Sequence, residues 1–494
     1  MTRRLLCLLT LALAAAVFLA APAAHAQEPR PDRRAESLAS TPGQRVDEIM
    51  ADYRGDTPGG VVAVMRTGEI VFARGYGLAN VEYGIPNTPT TPYHMASVSK
   101  QFTAFAIAML ADEGRLSLDD DVRAHIPELA DFGETITLRH LLTHTSGLRD
   151  QWTLWAMSGG RMDDVIRQED LLGLILLQRA LNFPPGSEFL YSNTGYTLLA
   201  EVVERVTGED FGAWMRANVF EPLGMRSTQI YDDHQRIVPG RAYSYREGDD
   251  GLAKAVLSYA NAGATSLFTT AHDLARWLRN FRTGEVGGAG VMARLQERGV
   301  LTTGDTLGYA LGIGVGDYRG LRRIQHGGAD AGYRTLLAYY PDIDAGVIVL
   351  ANTASFNTGE VATEVAEAFF GGEMAAAEPQ SADMADTADA TGVPVAREVL
   401  ERWTPDATEL AAYAGRYYSP ELETAYTIAM VDGALVARHR RHGDIPLTPT
   451  ERDTFRARRW FLDQVTFERD RAGAVTGMRG SAGRVRDLRF ERQE

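Results

Sequence analysis

Ser97 and Lys100 lie three residues apart and open a stretch in which nearly every residue is apolar. On a helix this spacing puts both side chains on one face, a turn apart, where the lysine amine can contact the serine hydroxyl. A serine hydroxyl is inert until a base takes its proton, and a partly desolvated lysine can have its pKa lowered enough to act as that base. The pair therefore predicts nucleophilic catalysis by serine.

Lysine is a rare choice in this chain, which contains only Lys100 and Lys254 against 48 arginines. Arginine stays protonated in proteins, whereas lysine can lose its proton. A lysine at position 100 is what a catalytic base requires, so its rarity elsewhere argues against a chance Ser-x-x-Lys match.

Tyr191 and Asn193 form a second candidate element after the turn Phe183-Pro184-Pro185-Gly186-Ser187. A tyrosine oxygen near a lysine can pass through phenolate, which makes Tyr191 a candidate general base and later an acid for the leaving group. Asn193 offers both a donor and an acceptor, so it can hold Lys100 or a substrate amide.

The third element is His326-Gly327-Gly328-Ala329, which precedes a predicted strand. Glycines at Gly327 and Gly328 would let a strand edge come close to a bound substrate. The backbone N–H of Ala329 could join that of Ser97 in an oxyanion hole.

Other chemistries have less support. His140 and His144 are four residues apart and could share a helix face as metal ligands, but no glutamate completes a His-Glu-x-x-His pattern, and we expect no metal. No Gly-x-Ser-x-Gly elbow supplies an alternative serine nucleophile. The single cysteine, Cys7, leaves no thiolate site in the body of the chain.

Composition narrows the class further. The 494 residues include 65 acidic and 50 basic ones, and this net charge of −15 argues against nucleic acid as a partner. Residues 1–26 combine Arg3 and Arg4, an apolar run and the sequence Ala24-His25-Ala26, which predicts a cleaved signal peptide and an exported, periplasmic or secreted protein. No later stretch approaches the roughly 18 apolar residues of a membrane span.

The pattern of the elements predicts an α+β fold. Val61 to Val64 and Ile70 to Ala73 indicate a β-hairpin, Ser97 to Gly114 a central helix buried on nearly every side, and strands return within residues 308–350. A sheet assembled from both ends of the domain, with helices inserted between, accounts for this order, and we assign it to residues 42–370.

The composition changes after this domain. Residues 371–404 are predicted to form an acidic, alanine-rich linker and connecting segment, since residues 371–396 contain five acids and no bases. Residues 405–494 hold short alternating stretches separated by turns such as Asp432-Gly433, which predicts a small antiparallel β-barrel.

The order and spacing of the three elements resemble the serine β-lactamase and penicillin-binding protein superfamily, in its class C-like branch. The resemblance runs from about Thr57 to Phe370 and includes Gly75-Tyr76-Gly77-Leu78-Ala79, His140-Leu141-Leu142-Thr143-His144-Thr145-Ser146-Gly147-Leu148 and Glu221-Pro222-Leu223-Gly224-Met225. It implies a β-lactamase-like antiparallel sheet flanked by helices, an acylated Ser97, a base shared by Lys100 and Tyr191, an orienting Asn193, an inner strand at residues 326–329, and no cofactor. The C-terminal barrel is similar to the lipocalin-like domains appended to some of these hydrolases.

One departure bears on the substrate. Class C β-lactamases carry Lys-Thr-Gly where this chain has His326-Gly327-Gly328, so an imidazole that is only partly charged near neutral pH replaces the cation. Related peptidases have histidine at the first position, and related esterases often have Gly-Gly after a tryptophan. We therefore expect an esterase or a D-amino-acid-type peptidase, acting through an acyl-enzyme on a small or peptide substrate. The alternatives are a true β-lactamase and an inactive protein that binds cell-wall peptides. The oligomeric state stays open.

Overall fold

A computed structural model describes residues 40–376 and 403–494 of the chain. The predicted signal peptide and most of the predicted linker lie outside the described residues. From Pro42 onward the described residues belong to one unit that contains both the catalytic part and the barrel.

The first part of the chain is an α+β domain built on the strands that the sequence predicts. Its strands are β1 (Gly60–Arg66), β2 (Glu69–Tyr76), β3 (Leu78–Asn80), β4 (Ile85–Pro86), β5 (Tyr93–His94), β6 (Gln229–Ile230), β7 (Tyr245–Gly248), β8 (Gly251–Lys254), β9 (Leu267–Thr269), β10 (Gly314–Tyr318), β11 (Leu321–Asp330), β12 (Tyr333–Tyr340) and β13 (Ala345–Ala351).

Helices connect and cover these strands. They are α1 (Pro42–Ile49), α2 (Lys100–Asp112), α3 (Val122–His125), α4 (Leu138–Leu142), α5 (Gln151–Met157), α6 (Gln168–Leu176), α7 (Asn193–Thr207), α8 (Phe211–Met215), α9 (Ala271–Thr283), α10 (Gly288–Leu295) and α11 (Thr358–Phe370), with 3-10 turns at Ala96–Ser99, Pro341–Ile343 and Gly371–Glu373 and a π-helical segment at Arg216–Phe220.

The main sheet has six antiparallel strands in the order β10-β11-β12-β13-β1-β2. β1 forms the predicted hairpin with β2 on one side and pairs with β13 on the other, with Gly60 opposite Ala351. The two ends of the domain therefore meet in the middle of one sheet, which confirms the predicted fold class. Gly60 allows the two strands to approach closely at this end, since a Cβ at Gly60 would lie 2.3 Å from the carbonyl oxygen of Leu350.

Helix α2 is the buried central helix that the apolar run predicts. Its residues from Lys100 to Ala108 are all buried, and the 3-10 turn Ala96–Ser99 precedes it without a break. This turn packs against β11 and β12, so the sheet edge and the start of the helix come together at Ser97.

One predicted strand is shorter than expected. The sequence predicts a strand over residues 308–316, but β10 begins only at Gly314. The preceding residues pass against the start of α2, where a Cβ at Gly312 would lie 2.7 Å from the carbonyl oxygen of Lys100. Gly312 therefore packs against the start of α2, and the sheet strand begins only beyond it.

The C-terminal part is the predicted antiparallel barrel, closed by eight strands. A short helix, α12 (Ala407–Ala411), leads into it, and Trp403 packs on the rings of Tyr413 and Phe455. The strands are β14 (Gly415–Ser419), β15 (Thr424–Val431), β16 (Ala434–His439), β17 (Gly443–Glu451), β18 (Thr454–Arg459), β19 (Leu462–Arg469), β20 (Val475–Ala482) and β21 (Val485–Gln493).

The barrel packs on helix α5 of the catalytic part. Leu154 and Met157 join its apolar core, and the hydroxyl of Tyr426 donates to the carbonyl oxygen of Met157 over 2.9 Å. A buried ion pair joins Arg149 to Glu421 at 2.7 Å. The barrel is thereby fixed beside the segment that leads into the catalytic site. Between residues 40 and 376 and between 403 and 494, no helix has the length and apolar character needed to cross a bilayer.

Candidate active site

Ser97 lies in a tight, strained turn. The preceding residue, Ala96, is fully buried and has a φ of 48°, a conformation that side chains with a Cβ seldom adopt. Ser99 stabilises the turn because its hydroxyl donates to the carbonyl oxygen of Ala96 (2.6 Å) and accepts from the N–H of Leu267 (3.1 Å). The result is a half-buried Ser97 side chain presented at the start of α2.

Lys100 makes the contact with Ser97 that the Ser-x-x-Lys spacing predicts. Its fully buried amine donates to Ser97 Oγ at 3.1 Å, to Asn193 Oδ1 at 2.8 Å and to the carbonyl oxygen of Ala264 at 2.7 Å. The last two oxygens can only accept hydrogen bonds. If Lys100 loses one proton and keeps these two bonds, its lone pair is left pointing at Ser97 Oγ.

The surroundings of Lys100 make that proton easy to lose. Burial lowers the pKa of the Lys100 amine to about 7; the Asp330 and Asp150 carboxylates oppose this effect, and the Arg484 guanidinium adds to it. About half of the amines are therefore neutral near pH 7, which is the condition that a general base requires.

Asp150 positions Asn193, and the motifs did not point to it. Its Oδ2 accepts both from the backbone N–H and from the side-chain Nδ2 of Asn193, each at 2.8 Å. With the amide nitrogen held in this way, Oδ1 of Asn193 is turned toward Lys100. Asp150 also caps helix α5 through the N–H groups of Trp152 and Thr153. The only feature of the sequence that marks Asp150 is its position just before a helix. Such a position indicates a helix cap rather than a residue of an active site.

Tyr191 lies beside this cluster, as predicted. Its ring centroid is 4.9 Å from Lys100 Nζ, and its buried hydroxyl makes no hydrogen bond of standard geometry within the described parts of the chain. Burial raises the pKa of this phenol, although the nearby Ser97 hydroxyl and the Arg484 guanidinium oppose the effect. In the free protein the hydroxyl of Tyr191 is therefore protonated, so it can act as a proton donor to a substrate group.

His326 belongs to a chain of hydrogen bonds that settles its tautomer. The N–H of Ser192 donates to Nδ1 of His144 (3.2 Å), so His144 carries its proton on Nε2, which contacts the hydroxyl oxygen of Tyr309 (3.2 Å). The Tyr309 hydroxyl can then donate to Nε2 of His326 (3.0 Å), and Nδ1–H of His326 donates to the carbonyl oxygen of Gly327 (2.6 Å). Each group in the chain has one donor and one acceptor in use.

Both imidazoles in this chain are neutral. Burial and the charge of Lys100 lower the pKa of His326 to about 3, and the same two causes, with a smaller contribution from the Arg484 guanidinium, bring the pKa of His144 well below its ordinary value. The expectation of a partly charged imidazole at His326 is therefore wrong, because the ring is enclosed next to a lysine. His144 also lies beyond the end of α4, so it does not share a helix face with His140.

Gly327, Gly328 and Ala329 form the edge of β11 that approaches Ser97. β10 pairs with β11 only as far as Gln325, so this edge has no strand partner among the described strands. A Cβ at Gly328 would lie 2.4 Å from the carbonyl oxygen of Met95 and 2.4 Å from Thr335 Oγ1. Position 328 requires glycine because it packs on the turn that carries Ser97. Ala329 is exposed on the same edge.

A cleft of about 510 Å³ adjoins the end of this strand. Its walls carry three cations and two carboxylates among apolar groups. They comprise Met162, Asp163, Arg246, Lys254, Ala255, Val256, Tyr259, Ala329, Asp330, Ala331 and Arg334.

The barrel also contributes to the site, through the turn between β20 and β21. The carbonyl oxygen of Arg484 accepts from the N–H of Asp150 (3.3 Å) and from Nδ2 of Asn182 (3.0 Å). Its guanidinium carbon lies 4.8 Å from the centroid of the Tyr191 ring. Arg484 belongs to none of the sequence motifs, because its neighbours in the site are more than 290 positions away in sequence.

Residues 43–370 match the family described as Beta-lactamase, and the chain belongs to that family. The match covers the whole predicted catalytic region and confirms the resemblance drawn from the motifs. It ends before the barrel, which is a separate addition to the family domain.

Individual relatives agree with this assignment. A D-aminopeptidase from Gluconobacter oxydans is 29% identical over 299 residues, which are 60% of this chain and 56% of that protein, so the chain spans little more than half the length of this relative. A penicillin-binding protein structure from Bacillus halodurans is 29% identical, with a TM-score of 0.57 over 66% of this chain and 98% of that one. The octameric penicillin-binding protein homologue from Pyrococcus abyssi shares the fold at 24% identity, with a TM-score of 0.59 over 91% and 98%.

Proposed function

We propose that this protein is a serine hydrolase that forms an acyl-enzyme on Ser97. The observation that carries the proposal is the hydrogen bonding of Lys100. Its amine donates to Asn193 Oδ1 and to the carbonyl oxygen of Ala264, so the lone pair of the neutral amine points toward Ser97 Oγ at 3.1 Å. A serine and a base at this distance are the arrangement that nucleophilic catalysis requires.

Acylation begins when neutral Lys100 accepts the proton of Ser97. The serine oxygen then bonds to the carbonyl carbon of the substrate, and the carbonyl oxygen becomes an oxyanion. The N–H groups of Ser97 and Ala329 are suited to hold that oxyanion, since both lie where the turn and the free edge of β11 meet.

Collapse of this intermediate breaks the bond to the leaving group. An amine must be protonated to leave, and the Tyr191 phenol can supply that proton, which the ammonium of Lys100 then restores within the same cluster. Water then attacks the acyl-enzyme, its proton passes to the same pair, and Ser97 is released with its proton. Protons therefore balance over the cycle.

We propose an ester or amide substrate, foremost an amide of a D-amino acid. The support is the likeness to D-aminopeptidases, which is close enough in sequence to suggest a related acyl group. The β-lactamase alternative is weaker, because neutral His326 cannot hold the carboxylate of a β-lactam as a cation would. An inactive binding protein has no need for the aligned amine of Lys100.

The test is intact-mass measurement of the mature protein and its Ser97→Ala variant after incubation with p-nitrophenyl esters, D-aminoacyl p-nitroanilides and a penicillin. We expect an acyl adduct on the wild type alone and turnover of the D-aminoacyl compounds. Rapid turnover of the penicillin would favour the β-lactamase reading. Absence of both adduct and turnover across the whole panel would favour the binding protein.

We also propose that the protein is exported. The support is the pattern of residues 1–26, which ends in Ala24-His25-Ala26. Expression with the native leader, followed by fractionation and N-terminal sequencing, should find a mature chain that begins at Gln27. A cytoplasmic chain that keeps Met1 would contradict export.

A further inference from the structure

We propose that one end of the C-terminal barrel is a docking surface for a lipid bilayer that contains anionic phospholipids. The surface consists of Arg440, Arg458, Arg459 and Trp460, and we call it the arginine–tryptophan patch. It contains no residue of the proposed active site, so it gives the barrel a role of its own.

The patch is assembled from two neighbouring turns of the barrel. One turn follows β16 and carries Arg440, and the other joins β18 to β19 and carries Trp460. The turns are in contact because the ring of His442 stacks on the buried ring of Phe461, with centroids 4.5 Å apart. Nε2 of His442 also lies 2.6 Å from the carbonyl oxygen of Ala156. The patch is therefore on the barrel end that adjoins helix α5 of the catalytic part.

The backbone at the end of β18 is shaped to expose three consecutive side chains. In a regular strand neighbouring side chains point to opposite faces, so one of the three would face the barrel core. The pairing of β18 with β19 shifts register within residues 456–459, and Arg458 has a φ of 51°. A bulge of this kind re-aims side chains. Arg458, Arg459 and Trp460 are in consequence all exposed, while the residues on either side of them are buried.

The three arginines give the patch a net positive charge. They form no ion pair with any residue that the structure describes, and all three are exposed. Glu423 in the β14–β15 turn is an exposed acid at the same barrel end, and three cations outweigh it. The acids that flank the two turns are already paired with other arginines, namely Asp164 with Arg441, Asp444 with Arg438 and Asp463 with Arg456.

Trp460 favours a bilayer over a soluble polyanion as the partner. It is 57% exposed, whereas the other five tryptophans are buried or half-buried. An indole is stable at the boundary between lipid headgroups and acyl chains, and arginines beside it attract anionic headgroups. A soluble polyanion would use the arginines and leave the indole in water. Because the whole chain carries a net charge of −15, attraction to an anionic bilayer is confined to local basic surface such as this patch.

The experiment measures how much of the mature protein sediments with vesicles of phosphatidylcholine alone, or with about 30% phosphatidylglycerol, at about 0.1 M NaCl. The wild type should bind the anionic vesicles, and binding should weaken at higher salt. Each arginine near an anionic surface contributes about fivefold to the partition coefficient. A triple variant, Arg440→Gln with Arg458→Gln and Arg459→Gln, should therefore lose about 100-fold.

A second measurement tests whether the indole enters the bilayer. Acyl chains that carry bromine quench tryptophan emission on contact. Anionic vesicles with brominated chains should lower the emission of the wild type and leave that of Trp460→Phe unchanged. Equal quenching of both proteins would overturn the placement of Trp460 in the bilayer.

The matched control removes three exposed arginines from the opposite end of the same barrel, by Arg416→Gln, Arg452→Gln and Arg471→Gln. It makes the same change in net charge and should bind anionic vesicles as the wild type does. Circular dichroism of both triple variants checks that the barrel is folded.

Three results would overturn the docking surface. The first is equal binding of the wild type to the two kinds of vesicle, and the second is an equal loss of binding in the patch variant and the control variant. The third is binding of the wild type to soluble dextran sulfate without sedimentation with either vesicle, which would assign the patch to a polyanion instead.

Discussion

The pH dependence of the reaction should follow the protonation of Lys100. A lysine acts as a base only in its neutral form, so acid conditions remove activity and rising pH restores it. With a pKa of about 7, about 1% of Lys100 is neutral at pH 5, about half at pH 7 and about 90% at pH 8. We therefore expect kcat/KM to rise nearly 100-fold between pH 5 and pH 8, with a midpoint at about pH 7.

Two substitutions should move that midpoint in opposite directions. The Asp330 carboxylate raises the pKa of Lys100 and the Arg484 guanidinium lowers it. Asp330→Asn should therefore shift the rise of kcat/KM to lower pH, and Arg484→Gln should shift it to higher pH. A neutral substrate, p-nitrophenyl acetate, keeps the assay independent of any carboxylate on the substrate.

The other titratable groups around Lys100 have pKa values that are shifted away from that of the Lys100 amine. The pKa of His326 is lowered to about 3, that of His144 is also well below its ordinary value, and that of the Tyr191 phenol is raised, so all three titrations are moved away from that of Lys100. Asp150 and Asp330 are the carboxylates that act on the amine, and Arg484 is the guanidinium. A flat profile over this range, or shifts of the same sign in both variants, would refute the assignment of Lys100 as the base.

Three further outcomes are expected. Lys100→Arg keeps the charge but removes the base, so kcat should fall by about 100-fold or more; wild-type rates would reject the base role. Gly328→Ala would place a Cβ 2.4 Å from the carbonyl oxygen of Met95, and thermal unfolding should show a loss of about 1–3 kcal/mol; an unchanged melting temperature would contradict this packing. Arg149→Met leaves Glu421 buried without its partner, so denaturant unfolding should report a loss of about 3–5 kcal/mol, whereas a neutral effect would show that the pair does not hold the barrel.

The sequence was sufficient for those parts of the site that depend on local spacing. Ser97 and Lys100 share one helix face wherever that helix lies, so their contact follows from the three-residue interval. The β1–β2 hairpin follows from two β runs separated by a turn, and the barrel strands follow from alternating apolar residues separated by turn residues. Tyr191 and Asn193 were predicted from the order of the motifs, and the family resemblance drawn from those motifs is confirmed by the match over residues 43–370.

Prediction from sequence failed where burial decides the outcome. The residues before Gly314 have strand-like composition, but they are used to pack against α2. The residue type alone predicts a partly charged ring at His326, but burial beside Lys100 keeps the imidazole neutral. In both cases the deciding quantity is the set of neighbours in space, and residue types along the chain do not specify it.

By itself, the amino-acid sequence determined the class of this protein: an α+β hydrolase domain of the beta-lactamase family with a serine and a lysine one turn apart, followed by a small barrel. Only the tertiary structure decided the electrostatics of the site. It buried the Lys100 amine, turned Asn193 toward it through Asp150, and brought Arg484 from the barrel onto Tyr191. The pKa of an amine and the partner of a guanidinium depend on distance and solvent exclusion, which chain folding creates between residues that are hundreds of positions apart.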